Sequence, residues 1–485
     1  MVNNLPWPLV SFESLLSEPL RNGIYKKKEF HGRGCKIVNM GELFGYPRLT
    51  SSIDMNLVEL TVKEKEKSLL QTGDLIFARR SLTAEGAGKC TLVQAIHEDT
   101  TFESSIIRAR LDTTKASPEF FYYMFNSAVG KWLLGTILRQ TAVAGITGSD
   151  LAKLKVPCPP LAVQQYLAMQ GRTLDDKITL NTQTNQTLEQ MAQALFKSWF
   201  VDFDPVIDNA LDSGFFEREF EGEGIPEPLA KRVAIRQALR EAAADTYSSA
   251  ICRLPPETRA LFPDSFEEHP ELGWIPKGWG VQPVGDVVEN VGGGTPKTSE
   301  SSYWDNGIHA FCTPKDMSSL ANMILLKTER HLTAMGVAKV SSGILDSGTV
   351  LMSSRAPIGY LAIAKQPVSV NQGIIALKPT ETYSSEYLLF WLKANLDEVI
   401  ARANGSTFLE ISKKNFRDIP FLVPDEKVVK LFGGLAKTYM DKVTVNAQGN
   451  ETLANLRDTL LPKLLSGELT LLDVCQENQV ESKVA

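Results

Sequence analysis

Thr179–Leu188 reads TLNTQTNQTL, and 265 positions later Thr444–Leu453 reads TVNAQGNETL. Thr179, Asn181, Gln183, Asn185, Thr187 and Leu188 return as Thr444, Asn446, Gln448, Asn450, Thr452 and Leu453. Pressure to keep a core would preserve apolar side chains. Repeated Asn and Gln point instead to a specific polar pairing surface, and their recurrence to a tandem duplication. The same offset aligns Ile146–Pro159 (ITGSDLAKLKVPCP) with Ile411–Pro424 (ISKKNFRDIPFLVP). Further upstream the offset drifts, as it does when surface loops gain or lose residues. GDLIFARR from Gly73 matches GTVLMSSR from Gly348, and PEFFYYMFN from Pro118 matches SEYLLFWLK from Ser385. WPLVSFESLL from Trp7 matches WGVQPVGDVV from Trp279. Each unit thus runs through an opening strand, a variable middle, a Gly-led strand ending in Arg, a helix, and a long closing helix. Units of roughly 200 residues are domains, since solenoid repeats have periods of about 20–50.

The closing helices carry the decisive pattern. Residues 161–200 follow the Pro159-Pro160 stop and read as one helix. Its heptad seam is Leu167, Gly171, Leu174, Ile178, Asn181, Asn185, Leu188, Ala192, Leu195 and Trp199. The second seam is Phe432, Ala436, Tyr439, Val443, Asn446, Asn450, Leu453, Arg457, Leu460 and Leu464. Each is a mostly apolar stripe interrupted by two Asn at matching places, and buried Asn at such positions fixes register and partner at some expense of stability. Two arrangements fit: the helices pair with each other, or each docks on its own domain. The matched polar interruptions favour pairing through Ile178, Asn181, Asn185, Leu188, Val443, Asn446, Asn450 and Leu453. A helix of ~40 residues spans about 60 Å, enough to hold two domains apart.

The boundaries that follow are 1–160 and 276–424 for the two domains, 161–204 and 425–472 for the long helices, and 473–485 for a polar tail. Residues 205–275 have no counterpart. They hold 14 acidic and 7 basic residues, include the Gly/Pro-broken EREFEGEGIPEP, and read mostly as a solvated acidic connector. Within it Pro228–Ala244 reads as a charged helix, and VDFDPVID just before as a turn. In the first domain a helix is expected over Pro118–Ile137.

Composition excludes several classes. With 43% hydrophobic and 22% charged residues the 485-residue chain is an ordinary globular one. The opening MVNNLPWPLV lacks a basic region and apolar core, so the cytoplasm is the expected location. Six cysteines are scattered without a CxxC, which argues against structural zinc and a disulfide framework. The five histidines form no metal-binding spacing. EGAGKCT at 85–91 imitates a phosphate loop but has Thr83 where the pattern needs Gly and Cys90 where it needs Ser or Thr. GGGTPK at 292–297 lacks dinucleotide-loop spacing and reads as a contact loop. No catalytic constellation is legible, and neither catalytic nor metal-ligating residues are assigned.

Net charge is −6, which counts against nucleic-acid binding, but outside 205–275 there are 43 acidic and 44 basic residues. Contact chemistry recurs at equivalent places in both units. Tyr25, Lys26, Lys27 and Lys28 correspond to the loop holding Lys297. Arg79 and Arg80 correspond to Ser354 and Arg355, while Arg139 and Gln140 precede a loop matching Asn404–Thr407, which includes Ser406. Arg, Gln and Asn suit bidentate contacts to base edges, and Lys suits phosphates. Three classes remain in play: a DNA-recognition and scaffold subunit, an enzyme, and a scaffold whose domains bind protein or glycan. Salt-steep DNA affinity separates the first from the third.

WFVDFDPV (199–206), LFPDSFE (261–267), ELGWIPKGW (271–279), GGTP (293–296), YW (303–304), RAPIG (355–359), NQG (371–373), GSTFLEIS (405–412) and LLPKLLSGEL (460–469) together resemble the specificity (S) subunit of type I restriction-modification systems. The likeness covers nearly the whole chain. The first unit departs from it, lacking GGTP and NQG. The resemblance implies an α+β fold with two tandem pseudo-symmetric α/β target-recognition domains separated by two long antiparallel coiled-coil helices. Each domain is then expected to read half of a bipartite duplex DNA site, with the helices as a ruler. Gln372 and Lys413 join the expected DNA contacts. Two methyltransferase (M) subunits are expected to dock through Phe196, Trp199, Phe200, Leu460 and Leu464, and restriction (R) subunits to join them. S-adenosylmethionine, ATP and Mg belong on those partners, with adenine N6 methylated there and no cofactor in this chain.

Overall fold

The computed structural model describes residues 6–139, 144–221, 224–244, 254–355, 357–405 and 409–466. The chain forms two compact units, Met1–Ile178 with Glu451–Ala485, and Thr179–Asn450. The first long helix (Leu161–Phe200) and the second (Glu426–Ser466) each pass through the boundary.

In the first unit, Leu9–Ser11 pairs antiparallel with Lys155–Pro157. A five-stranded sheet follows the order Arg21–Asn22, Ile106–Ala109, Leu75–Ala78, Cys90–Ala95, Arg48–Thr50. A three-stranded sheet places His31–Val38 between Leu57–Val58 and Thr100–Phe102. The second unit repeats every pairing. Gly280–Pro283 pairs with Pro420–Val423. Its larger sheet runs Asn290–Gly292, Ile374–Leu377, Val350–Ser354, Ile358–Ala364, Ile324–Leu325, and His309–Cys312 lies between Arg330–Leu332 and Val368–Val370. In both larger sheets only the last pair is parallel, and in both smaller sheets the middle strand is parallel to the strand latest in sequence. The duplication read from Asn and Gln therefore extends to sheet order and strand direction.

Each central strand opens at a glycine. Gly73 and Gly348 have φ of +93° and +94°, a conformation that side chains with a Cβ rarely adopt, so the repeated Gly-led sequence is a backbone requirement. Leu75–Ala78 and Val350–Ser354 are buried on both faces, which is why they read as continuous apolar runs rather than as alternation.

The expected helix Pro118–Ile137 is two helices, Pro118–Asn126 and Ala128–Thr136. Ser127 is extended, ends the first, and its hydroxyl accepts the Gly130 N–H of the second. Periodicity alone runs through such a break because Ser is also tolerated inside helices.

Residues 205–275 are the main correction to the domain reading. They fold into helices Asp204–Ser213, Phe215–Glu219, Glu227–Ala244 and Pro256–Arg259 and a hairpin of Phe266–His269 with Gly273–Pro276. Val206, Ile207, Phe215, Phe216, Leu229, Val233, Phe262 and Phe266 are buried in one core with Trp199, Phe200 and Tyr387. The expected turn in VDFDPVID reduces to Phe203, left-handed at φ 57°, after which a helix begins at Asp204. The acidic bias misled because three of the bases are turned inward. Arg236 pairs with buried Asp208, and Arg240 and Arg259 both pair with Asp212, which leaves the remaining acids to dominate the surface.

Candidate nucleic-acid interface

In the second unit the strand Val350–Ser354 delivers Arg355 to a junction of three loops. The Ser354 N–H donates to the Gly373 carbonyl at 2.9 Å, and the Ile411 N–H donates to the Ser354 carbonyl at 3.0 Å. Asn404 and Glu410 exchange backbone hydrogen bonds at 2.9 Å each beside Arg355, whose guanidinium lies 3.8 Å from the Glu410 carboxylate. The Thr295 hydroxyl hydrogen-bonds Gln372, joining the GGTP loop to NQG. A Cβ at Gly293 would overlap the Val370 carbonyl, so only glycine lets this loop lie on the sheet. The aliphatic stem of Lys413 passes over Gly292. The Trp304 indole N–H donates to the Lys297 carbonyl at 3.1 Å, and the Arg330 guanidinium stacks 3.4 Å over that indole. Arg355, Gln372, Lys297, Asn404 and Lys413 thus surround one connected set of loops.

The first unit builds the same frame from different side chains. The Arg79 N–H donates to the Ser105 carbonyl at 2.8 Å, and the Ile146 N–H to the Arg79 carbonyl at 3.0 Å. Arg139 and Gly145 exchange backbone hydrogen bonds at 2.9 and 3.1 Å, and Gly145 also pairs with Arg80. Bond for bond, Arg79 stands for Ser354, Arg80 for Arg355 and Arg139 for Asn404. Glu103-Ser104-Ser105 takes the place of Asn371-Gln372-Gly373, and Gly23 abuts the Phe102 carbonyl as Gly293 abuts that of Val370. The elements that seemed missing from the first unit are present as backbone, without their residue types. Sequence comparison missed them because this frame is held by main-chain bonds.

Two expected contact residues are occupied elsewhere. Ser354 is 3% exposed inside the sheet, so its side chain cannot reach a ligand and only its backbone shapes the site. Lys26 pairs with Glu64 at 2.8 Å and lies over the Phe30 ring. The Glu64 carboxyl is pushed down to about 2, first by the Lys26 hydrogen bond and then by the Thr61 backbone and hydroxyl. Lys26 therefore acts locally, while Lys27, Lys28 and Tyr25 (80% exposed) remain available. Arg139 is bound 2.7 Å from Asp150, whose carboxyl is held low by Thr147 and then Arg139, yet it stays largely exposed. Arg80 is exposed and Arg79 half-buried against the Ser104 carbonyl. Gln140, Ser406, Thr407 and the tail lie outside the described residues.

The Asn residues of the long helices meet each other. The Asn181 amide donates to Asn450 at 2.9 Å, and that of Asn446 to Asn185 at 2.8 Å. These two bonds exchange under the duplication, and their register makes the helices antiparallel. Asn185 also donates to the Val443 carbonyl at 3.3 Å, and Asn450 to the Thr182 hydroxyl at 3.3 Å. Leu188 and buried Val443 continue the seam in the second unit. In the first unit Asp175 binds Arg457 at 2.6 Å and accepts the Tyr123 hydroxyl at 2.7 Å, while Arg48 reaches both Asp175 and Glu119. Arg457 already interrupted the apolar seam in sequence, a signal for this network that pattern reading left unused.

The expected docking residues are corrected by burial. Trp199 is 1% exposed, and Phe196 and Phe200 are buried around Phe432 and Tyr387. Leu464 is buried in the first unit's core and Leu460 packs against it. The aromatic residues Phe196, Trp199 and Phe200 serve the chain's own packing. Among the described residues no helix is long and apolar enough to cross a membrane, and no group of three or more His, Cys, Asp or Glu is arranged to hold a metal ion.

Comparison with known proteins places this frame in a family. The family model "Type I restriction modification DNA specificity domain" matches twice, over residues 22–190 and 276–438. The chain is 26% identical over 414 residues to the HindI specificity subunit of Haemophilus influenzae, covering 83% of this chain and 88% of that one. It is 33% identical over 188 residues to the MjaIX specificity subunit of Methanocaldococcus jannaschii, covering 38% of this chain and 43% of the other. The S subunit of a type I restriction-modification system from M. genitalium superposes with a TM-score of 0.49 at 14% identity, covering 95% of this chain and 96% of that one. With both matched segments falling on the duplicated units, the chain belongs to the type I restriction-modification DNA specificity family.

Proposed function

We propose that each unit reads one half of a bipartite DNA site, and that the chain scaffolds methyltransferase subunits, and through them restriction subunits, without chemistry of its own. The observation that carries this reading is one hydrogen-bonded frame presenting two different sets of side chains. The first unit offers Arg79, Arg80 and Arg139, and the second offers Arg355, Gln372 and Asn404. Arginine suits guanine, and Asn or Gln suits adenine, in bidentate contacts to base edges. Lys27, Lys28, Lys297 and Lys413 suit phosphates, which orient a protein without reading sequence. A shared frame with unshared tips is what two unlike half-sites require.

For docking, the exposed apolar positions replace the buried ones. Leu180 and Val445 are related by the 265-residue offset, as are Met191 and Leu456, and all four are exposed. Equivalent apolar positions on both helices suit two copies of one partner. S-adenosylmethionine, ATP and Mg then act on the partner subunits, and a cytoplasmic location follows from the shared work on DNA.

The test is a methylation map of the host genome with the gene present and deleted. A split adenine motif should vanish on deletion. Replacing residues 1–150 by the matching segment of another family member should change one half of the motif only. Loss of both halves together, or no change on deletion, refutes the reading, as does robust methyl transfer by the isolated chain.

A further inference from the structure

The two units differ most where the Arg-bearing strand turns back. In the second unit residues 355–357 join Val350–Ser354 to Ile358–Ala364. In the first unit residues 79–89 join Leu75–Ala78 to Cys90–Ala95. This longer loop contains the GAGK stretch that imitates a phosphate loop, and its start is tied to the candidate interface: Arg80 and Ser81 pair with Gly145 and Ala144. Internal bonds shape the rest. The Thr83 N–H donates to the Ser81 hydroxyl at 3.2 Å, the Gly86 N–H to the Thr83 hydroxyl at 3.3 Å, and the Gly88 N–H to the Ala78 carbonyl at 2.8 Å. Lys89 is anchored to the Phe44 carbonyl at 2.7 Å and lies over the Phe44 ring. It is therefore not a phosphate ligand.

At the outer turn of this bonded loop stands Leu82, 95% exposed. It stands two residues after Arg80, beyond Ser81, and is the most exposed large apolar side chain among the described residues. Resting on the reading of the first unit as a DNA reader, we infer that Leu82 packs on the C5-methyl group of a thymine in the half-site that this unit reads. The methyl is the distinctive apolar feature of the major groove, and arginines that read guanine approach through the same groove. The loop's internal bonds hold the backbone on either side of the leucine before contact, so ordering entropy is confined mainly to its side chain. The second unit has no equivalent loop, so the contact belongs to one half-site.

The test uses the complex assembled with its methyltransferase subunits and a duplex carrying its mapped site. Deoxyuridine replaces each thymine of the first half-site in turn, which removes the methyl and nothing else. One replacement should weaken wild-type binding about four-fold, the scale of burying one methyl-sized group. Leu82→Ala should weaken binding to the thymine site by at least as much and abolish the deoxyuridine effect, leaving thymines of the other half-site unaffected. The side chain is exposed, so the melting temperature should not move. If Leu82→Ala leaves affinity unchanged while Arg80→Ala lowers it, the inference falls and the DNA reading stands. A deoxyuridine effect that persists in Leu82→Ala also overturns it, as does reduced DNA bending without methyl sensitivity, which would mark a wedge between base steps. If wild-type complex does not separate its site from scrambled duplex, the underlying DNA reading fails instead.

Discussion

Truncating Asn185 to Ala should loosen the paired helices of the second unit by about 2 kcal/mol. Asn185 is 1% exposed, accepts the Asn446 amide at 2.8 Å and donates to the Val443 carbonyl at 3.3 Å. Each bond contributes about 1 kcal/mol net, and an orphaned buried amide costs about 1–3 kcal/mol. The Val443 carbonyl keeps its helical partner, so the larger loss is the Asn446 amide left without an acceptor. At about 1.4 kcal/mol per decade, 2 kcal/mol corresponds to roughly 30-fold faster amide exchange. The assay is hydrogen exchange across residues 182–192 and 440–449, with the core strand Leu75–Ala78 of the other unit as internal control. Asn446→Ala should give a similar loss, and the two together less than their sum, because they remove one shared bond. Replacing both by Leu should return protection close to wild type, since an apolar pair leaves no unsatisfied group. Less than a three-fold change in Asn185→Ala, or strict additivity in the double variant, would refute the view that the Asn pair is a coupled unit.

Glu189 is buried and held above its ordinary range mainly by that burial, with the Met323 N–H at 2.8 Å opposing. A raised carboxyl means the folded state binds more protons, so its stabilisation is full below the unfolded value and declines as pH rises through the folded one. Glu189→Gln should therefore raise the melting temperature of the second unit at neutral pH and flatten its dependence on pH, whereas a lowered melting temperature at neutral pH contradicts the assignment. Gly293→Ala should cost about 1–3 kcal/mol through overlap with the Val370 carbonyl and weaken recognition of one half-site, read by binding to duplexes altered in either half. One heptad inserted after Gln183, about 10 Å of helix, moves Asn185 away from Asn446 and should abolish assembly with the partner subunits. A matching insertion between Asn446 and Asn450 should restore it, as seen by size-exclusion chromatography. Equal tolerance of the single and paired insertions would show that register is not fixed by the Asn pairs.

The sequence by itself determined the duplication, the two long helices and the four Asn through which they meet. Each rests on local rules: glycine at positive φ before both central strands, heptad periodicity, and Asn at matching places in two apolar seams. It also brought out the loops proposed to meet DNA, because Arg80 and Arg355 follow equivalent strands. Only tertiary structure decided what those side chains face. Ser354 and Lys26 read as surface contacts, yet one lies inside a sheet and the other is held by Glu64, 38 positions away. Phe196, Trp199 and Phe200 read as a docking patch and instead close a core with residues from 201–275, because apolar surface gives no sign of whether its cover comes from the same chain or another. The first unit's GGTP and NQG equivalents were invisible for a related reason. Backbone amides and carbonyls hold Gly23, Ser105 and Gly145 in place, and main-chain hydrogen bonds are common to every residue type.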